Sequence, residues 1–430
     1  MCLALTLKMK TQLMDRTQAP AAVEIDRPNL PSVEKVVLNN NLEAYILNQG
    51  KQDVVLLELI IPVGRYQEPS SGLAFYLFKM LTEGTTKYTS EEIASKFDFF
   101  GSHLEITPTL DHVSIKLYTL SRFFEEVLDL FCHLLTESNY PEHEFDILKQ
   151  IRVQQIKQQE AKNNVFASLK FREALYGADH PYGRKVSIKQ AQGVSIQDVV
   201  AFKNAVLSKP TIFLTGRITD KELSTLTDKL STINFSDSVK SESFVMTPSG
   251  SERIKKDGST QASIRLGKLI INRKNPDIHN FKITNEILGG FFGSRLMKNI
   301  REEKGLTYGI HSSILHLQQS SYWSIGSEVL LDKVDLALEE IHKEIKTLQT
   351  ERVSDQELNM VTNYMKGKFL TSFDSPFSSH NMIKSLVLDG LETSYYFNYF
   401  DAIQSVNAET ILEVANKYLD KDSLTTVIVG

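Results

Sequence analysis

The segment Gly72-Leu-Ala-Phe-Tyr-Leu-Phe-Lys-Met-Leu-Thr-Glu-Gly-Thr85 is the starting point for interpreting the chain. Its apolar residues predict a buried helix, and Gly84 stands where a glycine commonly ends one. The five central residues, Phe75 to Lys79, include no histidine and no acid. This helix is therefore predicted to belong to the core and to carry no metal-binding side chain.

A second informative segment runs from Leu288-Gly-Gly-Phe-Phe-Gly-Ser-Arg-Leu-Met-Lys-Asn-Ile-Arg301 into Glu-Glu-Lys-Gly-Leu-Thr-Tyr308-Gly. Taken singly, Arg301 is typical of a solvated helix end and Tyr308 of a core residue. Taken together, an arginine and a tyrosine that flank a Gly-Leu pair indicate a site. The glycines before them lack the preceding strand and the spacing of a phosphate-binding loop, so we interpret them as helix-packing positions.

The order of predicted elements repeats along the chain. Val194-Ser-Ile-Gln-Asp-Val-Val-Ala-Phe and its following strand are matched by Val406-Asn-Ala-Glu-Thr-Ile-Leu-Glu-Val, and Pro141 is matched near Val353. The shared offset indicates two homologous halves, each with its own core. The predicted fold class is α+β, with two domains that are each a mostly antiparallel sheet covered by helices. We predict an N-terminal arm over 1–30, domains over 31–232 and 259–430, and a linker over 233–258 that is rich in Ser, Lys, Asp and Thr.

Composition excludes several classes of protein. The 430 residues carry a formal charge of −5, with no basic run that would attract nucleic acid or a membrane surface. No apolar stretch approaches the roughly 18 residues that a membrane span needs. With only Cys2 and Cys132, a disulfide framework is not expected. The first residues are a weak secretion signal, so a cytoplasmic location is favoured, while periplasmic and organellar locations stay open.

The first segment resembles the inverted zinc helix His-x-x-Glu-His of the insulinase-like metallopeptidases, the family of pitrilysin and mitochondrial processing peptidase. The resemblance lies in the flanking Gly72 and Gly84-Thr85, whereas Phe75, Phe78 and Lys79 stand where the family has its zinc ligands and general base. The family's third ligand, a glutamate on a later helix, corresponds to Gln155. The resemblance therefore implies a chain that holds no zinc and no other cofactor.

The second segment resembles the family's Arg/Tyr signature. In relatives these two side chains face a zinc site supplied by the opposite half of the assembly. The resemblance implies that Arg301 holds a backbone carbonyl of a substrate and that Tyr308 donates its hydroxyl to the oxyanion. It also implies two kinds of partner, a zinc-bearing homologous subunit and a peptide or unfolded polypeptide substrate.

Three hypotheses follow for function. The leading one is the zinc-less subunit of a heterodimeric metalloendopeptidase, inactive alone and supplying Arg301 and Tyr308 to the partner's site. The alternative is a non-enzymatic peptide-binding or structural subunit, similar to the core subunits related to this family. The third is an independent peptidase with a rearranged site, for which the ten histidines offer no spaced set of ligands.

Overall fold

The computed structural model contains two mixed β-sheets, one in each half of the chain, and it describes residues 17, 25, 27, 29–70, 72–236 and 243–430. The predicted N-terminal arm lies almost entirely outside the described residues. None of the described helices is long and apolar enough to cross a membrane.

The first half contains six strands and eight α-helices within its described residues. They are β1 (Glu34–Leu38), β2 (Leu42–Asn48), β3 (Val54–Ile61), α1 (Leu73–Lys79), α2 (Ser90–Phe99), β4 (His103–Pro108), β5 (Val113–Leu120), α3 (Phe124–Glu137), α4 (Glu142–Ala161), α5 (Asn163–Tyr176), α6 (Ile188–Gly193), α7 (Ile196–Val206), β6 (Thr211–Gly216) and α8 (Asp220–Ser231).

The second half contains five strands and six α-helices within its described residues. They are β7 (Glu252–Ile254), β8 (Gln261–Leu269), α9 (Ile278–Asn285), β9 (Ile310–His316), β10 (Ser321–Leu330), α10 (Val334–Thr350), α11 (Asp355–Thr371), α12 (Pro376–Leu388), α13 (Ser394–Ser405), α14 (Ala408–Tyr418) and β11 (Thr425–Val429). Two π-helical segments, Glu286–Gly290 and Met297–Glu303, follow α9.

The two sheets have closely related topologies. The first has the strand order β1-β2-β6-β3-β5-β4, and the second has the order β7-β11-β8-β10-β9. One pair in each sheet is parallel, β2 with β6 and β7 with β11, and the other described pairs are antiparallel. This confirms the predicted α+β class. Strand β7 lies inside the segment predicted as a linker, so part of that segment completes the second sheet.

Each sheet buries one face in the core of its own half. In β3, alternate residues from Val55 to Ile61 point into the first core, where they meet α1, α3 and α7. In the second half, Leu266 of β8 and Trp323 of β10 point into a core shared with α9, α10 and α14. Successive side chains of a strand point to opposite faces, so each sheet has a second face that must also be covered.

A helix from the opposite half covers that second face. Helix α5 of the first half packs on β8 and β11, with Phe171 and Leu175 in one cluster with Val427 and Val429. Helix α12 of the second half packs on β6 of the first sheet. Helix α5 directly follows α4, and α12 directly follows α11, so the two covering helices have corresponding places in the order of elements. The two halves therefore share their packing and form one structural unit.

The contact between α12 and the first sheet centres on Glu58 of β3, which is fully buried. Its carboxylate accepts hydrogen bonds from Ser114 and from Nζ of Lys384, the latter at 2.9 and 3.1 Å, and pairs with Nε2 of His380. The other ring nitrogen of His380 lies 2.8 Å from Oγ1 of Thr215. We call these five residues the Glu58 cluster. Burial favours the neutral acid, but the hydrogen bonds and the charge of Lys384 outweigh it and lower the pKa of Glu58 to about 2.

Replacement of Glu58 by glutamine is expected to destabilise the protein at pH 7 by about 3 kcal/mol, because it leaves the largely buried ammonium of Lys384 without its counter-charge. The pKa of Glu58 is about 2 in the folded protein, against about 4.3 for an unperturbed glutamate. The stabilising contribution is therefore complete above about pH 5 and is lost as the pH falls toward 2. Urea unfolding between pH 2 and 7 should show a shallower acid slope for Glu58→Gln.

The matched control is Glu43→Gln, since Glu43 forms an exposed ion pair with Lys35. Exposed pairs contribute little, so this variant should reproduce the wild-type curve. Equal acid slopes for Glu58→Gln and the wild type would contradict the assignment of the acid-dependent stability to this carboxylate.

Candidate functional site

Helix α1 is positioned by a buried carboxylate at its start. Glu68 accepts hydrogen bonds from the amides of Gly72 at 3.0 Å and Ala74 at 2.8 Å, which satisfies two free N–H groups of the first turn. Gly72 has φ of 101°, a value that favours glycine. The helix is buried as predicted, but it ends at Lys79 and continues as a 3-10 turn, whereas the prediction placed its end at Gly84. Gly84 instead forms an isolated β-bridge.

The positions predicted to correspond to zinc ligands and a general base are part of the core or next to it. Phe78 is 1% exposed, and Phe75 packs partly buried against the first core. The guanidinium of Arg152 lies 4.5 Å from the centroid of the Phe75 ring, and its Nη1 donates to Oε1 of Gln155 at 3.3 Å. An aromatic ring and an arginine thus occupy the space between α1 and α4.

Lys79 forms a hydrogen bond with the first sheet. Its ammonium donates a hydrogen bond of 2.6 Å to the carbonyl of Ile106 on β4, the edge strand of the first sheet. Pro108, which has no N–H, lies two residues further on the same strand. Residues two apart direct their backbone groups to the same side, so the carbonyl of Ile106 and the nitrogen of Pro108 both face the free edge of the sheet. A peptide that added to this edge would have to displace Lys79 from Ile106. The lysine therefore blunts the edge in the way that charged side chains commonly do.

These residues do not fit a zinc ion. Phenylalanine cannot ligate, and the cationic Lys79 and Arg152 repel a divalent cation. Across the described ranges, no group of three or more His, Cys, Asp or Glu side chains lies close enough to hold a metal ion. The third hypothesis, an independent peptidase with a rearranged zinc site, therefore has no candidate set of ligands within the described ranges.

Arg301 lies in the second π-helical segment, a type of helix that occurs frequently at functional sites. Its guanidinium stacks over the ring of Phe292 at 4.5 Å, and its side chain is 34% exposed. The nearest carboxylate, that of Glu302, lies at 4.0 Å, too far for a hydrogen bond. The planar donors of Arg301 thus lie over an aromatic ring and make only a long ion pair with Glu302, without a hydrogen bond to it.

Tyr308 projects from the surface with 94% of its area exposed, and its hydroxyl makes no hydrogen bond within the described part of the chain. The core role considered for it is therefore wrong. The loop that carries it is held by Oγ1 of Thr307, which accepts a hydrogen bond from the amide of Gly309 at 3.1 Å and has one proton to donate to the carbonyl of Glu328 at 2.7 Å or of Gly309 at 2.9 Å. Thr307 and Phe292, which position Tyr308 and Arg301, were not identified from the sequence because neither belongs to a recognisable spacing.

Gly289 supports the packing interpretation of the glycines. A Cβ atom at this position would lie 2.7 Å from Oγ of Ser312 and 2.9 Å from its amide nitrogen. The close approach of the first π-helical segment to β9 therefore requires a residue without a side chain.

The structure leaves the two groups of predicted residues apart. No hydrogen bond, ion pair or ring contact in the described ranges joins Arg301 or Tyr308 to Phe75, Phe78, Lys79 or Gln155.

Comparison with known proteins shows the family. Residues 44–184 match the model of insulinase, peptidase family M16, and residues 193–365 match the model of the peptidase M16 inactive domain. Together these matches span more than half of the chain, which belongs to peptidase family M16, the insulinase family. The second match crosses the predicted linker between the two halves.

Individual relatives are distant but extend over most of the chain. An uncharacterized zinc protease of Rickettsia felis is 24% identical over 91% of this chain and 96% of its own. A protein of Helicobacter pylori named non-peptidase homolog YmxG is 22% identical over 84% of each chain. The crystal structure of a peptidase M16 inactive domain from Pseudomonas fluorescens has a TM-score of 0.84, with 23% identity over 93% of this chain and 98% of that one.

Replacement of Phe78 by alanine is expected to lower the free energy of unfolding by about 3 to 5 kcal/mol, because it opens a cavity in the core. The same substitution at Phe99, which is 80% exposed, is the matched control and should change it by less than about 0.5 kcal/mol. Urea denaturation of both variants measures the difference. Similar losses in the two variants would show that the former zinc-motif position is not part of the core.

Proposed function

We propose that this chain is the zinc-less subunit of a heteromeric metalloendopeptidase and supplies Arg301 and Tyr308 to the zinc site of a homologous partner. The observation that carries the proposal is the exposure of Tyr308, 94%, in a loop fixed by Thr307. A large aromatic side chain held in solvent without a hydrogen-bond partner is available to a second molecule. A cytoplasmic location is part of the proposal.

Each residue has a defined task in this arrangement. The planar guanidinium of Arg301, which lies over the ring of Phe292, offers N–H donors to a backbone carbonyl of an extended peptide. The hydroxyl of Tyr308 donates to the oxygen on which negative charge develops as the peptide carbonyl is attacked. The partner's zinc activates the attacking water, and this chain's residues bind and orient the peptide.

The lack of zinc-binding side chains on α1 supports the assignment of the metal to a partner subunit. Because Phe75, Phe78, Lys79 and Gln155 cannot form a catalytic zinc site, hydrolysis requires the metal of another subunit. The hydrogen bond from Lys79 to Ile106 also closes part of the sheet edge at which a peptide could add as a strand. Peptide contacts of this chain are therefore assigned to Arg301 and Tyr308.

The second candidate is a non-enzymatic peptide-binding or structural subunit. It is favoured by the relative from Helicobacter pylori, whose name describes a non-peptidase homolog. This role predicts peptide binding or assembly without any effect on the rate of cleavage by a zinc-bearing homologue, so the two candidates are separated by one assay.

The assay measures cleavage of a fluorogenic peptide by a zinc-bearing homologue with and without this chain. We expect no activity from this chain alone and a higher rate from the mixture. Tyr308→Phe should reduce the added rate by about 10²- to 10³-fold, the range measured when one oxyanion donor is removed. Arg301→Ala should also reduce the added rate, because it removes the donors that hold the backbone carbonyl of the peptide. Both variants should retain the wild-type melting temperature, because neither side chain is in the core.

Matched controls come from residues away from this surface. Arg217→Ala removes an exposed arginine whose side chain is 65% accessible, and Tyr88→Phe removes the hydroxyl of a tyrosine on another loop. Both should leave the added rate unchanged. If the mixture cleaves no faster than the homologue alone, the non-enzymatic candidate replaces the proposal, whereas an unchanged rate in the Arg301 and Tyr308 variants would reject their roles.

A further inference from the structure

A cavity of about 620 Å³ lies between the two halves, and neither Arg301, Tyr308 nor any residue of α1 is part of its lining. The turn between β4 and β5 of the first half contributes Asp111 and His112. The rest of the lining comes from β9, α9, α11, α12 and α13 of the second half and from the segments that adjoin them. Ligand sites commonly have volumes of about 300 to 1,000 Å³ and occur where two structural units meet. The size and position of the cavity are those of a small-molecule site.

Most charges that line the cavity are neutralised by ion pairs. The pairs are Arg273–Asp389 at 2.6 Å, Lys368–Glu286 at 3.2 Å and Lys384–Glu58 at 2.9 Å. Asp111 has both oxygens engaged, by the hydroxyl of Tyr182 and by the amide of Gln318. These groups are held by the protein itself and leave little capacity for a ligand.

Lys282 of α9 is the exception among the described lining residues, because no carboxylate lies within ion-pair distance of its ammonium. Nζ donates to the hydroxyl of Tyr395 at 2.6 Å and lies 5.0 and 5.5 Å from the ring centroids of Tyr395 and Tyr399. Burial lowers the pKa of Lys282, since the charged form has lost water without gaining an anion. A buried ammonium without a counter-charge is stabilised by an anionic ligand that pairs with it.

His316 of β9 adds a second unsatisfied group. Its Nδ1 lies 2.8 Å from the hydroxyl of Ser321, whereas Nε2 is buried with no hydrogen-bond partner. Burial, together with the charges of Lys282 and Arg273, lowers the pKa of His316 to about 3, so the ring is neutral at physiological pH. A buried nitrogen without a partner is destabilising, and a hydrogen-bond acceptor in the cavity would satisfy it as an N–H donor.

The remaining wall is apolar and aromatic. It consists of Ile314, Met365, Phe369, Met382 and Leu388, with the rings of Tyr395, Tyr396 and Tyr399. Flexible methionine side chains and aromatic rings accommodate an apolar body of variable shape. A highly charged ligand such as a phosphate ester would be poorly solvated against this wall.

We propose that this cavity binds a small organic carboxylate with an apolar body, with the carboxylate paired to Lys282 and the body against the Met365 and Phe369 wall. Such a ligand supplies the counter-charge that Lys282 lacks and an acceptor for Nε2 of His316. The chemistry is shared by a medium-chain fatty acid and by the C-terminus of a short apolar peptide. This site is separate from Arg301 and Tyr308 and does not depend on the proposed peptidase role.

The test is calorimetric titration of the purified full chain, without any partner, with octanoate and with N-acetyl-Leu-Leu-Phe that has a free C-terminus. Octanol and the C-terminal amide of the same peptide are the uncharged counterparts. We expect at least one acid to bind and its uncharged counterpart to bind at least tenfold more weakly. Whichever acid binds more tightly identifies the source of the carboxylate.

Lys282→Met keeps the length of the side chain and removes the charge, so it should weaken binding of the acid at least tenfold. Lys255→Met, at a side chain that is 89% exposed, is the matched control and should bind like the wild type. Should Lys282→Met fail to fold, as judged by its melting curve, Tyr395→Phe tests the same contact by removing the hydroxyl that holds the ammonium. Absence of binding by both acids, or equal affinity in the wild type and the folded variant, would overturn the proposal.

Discussion

A buried carboxylate whose counter-charge, Lys384, comes from the other half of the chain is the constraint on which the architecture depends. Glu58 lies in the middle of the first sheet and is fully buried, a position that is unfavourable for a charge unless it is paired and hydrogen-bonded. Two of its partners, His380 and Lys384, come from α12. The outer face of the first sheet is therefore compatible with a folded structure only when the second half is in place.

The second sheet has a related arrangement with the opposite charge. Arg265 of β8 points toward α5, where its Nε donates to the hydroxyl of Ser168 at 2.9 Å and its Nη2 to the carbonyl of Asn164 at 3.2 Å. Each sheet thus presents one charged residue to a helix of the other half. Because the Glu58 contact is a buried polar network and the Arg265 contact a partly buried one, they fix the relative position of the halves more specifically than apolar packing alone would.

Much of the fold could be predicted because its signals are local. Alternating residues in β4 and β5 and the repeated order of elements gave the sheets, the helices and their duplication. The exchange of α5 and α12 could not be predicted, since a repeat shows which helices correspond but not which sheet each one covers. The end of α1 was misplaced because Gly84 is a turn signal of the kind that fits a β-bridge as well as a helix end.

The candidate site was predictable to a different extent in its two parts. Arg301, Tyr308 and the altered positions on α1 were identified because a family motif groups them in sequence. No motif spacing joins Lys282, His316 and Tyr395. They lie more than thirty residues apart in sequence and on three different elements. Only the packing of α9, β9 and α13 brings them to one cavity, so this site needed the three-dimensional structure.

The exchange of helices has a consequence for how the chain is made. The N-terminal half is synthesised first, and His380 follows Glu58 by 322 residues in the chain. Until α12 has been synthesised, the first sheet has a hydrophobic face around Leu56, Ile60 and Phe213 with an acid at its centre that has no counter-charge from α12. Protonation of that acid is the least unfavourable way to keep the nascent sheet compact. The first half is therefore expected to depend on chaperones during translation and to become a stable fold only when the last third of the chain has emerged.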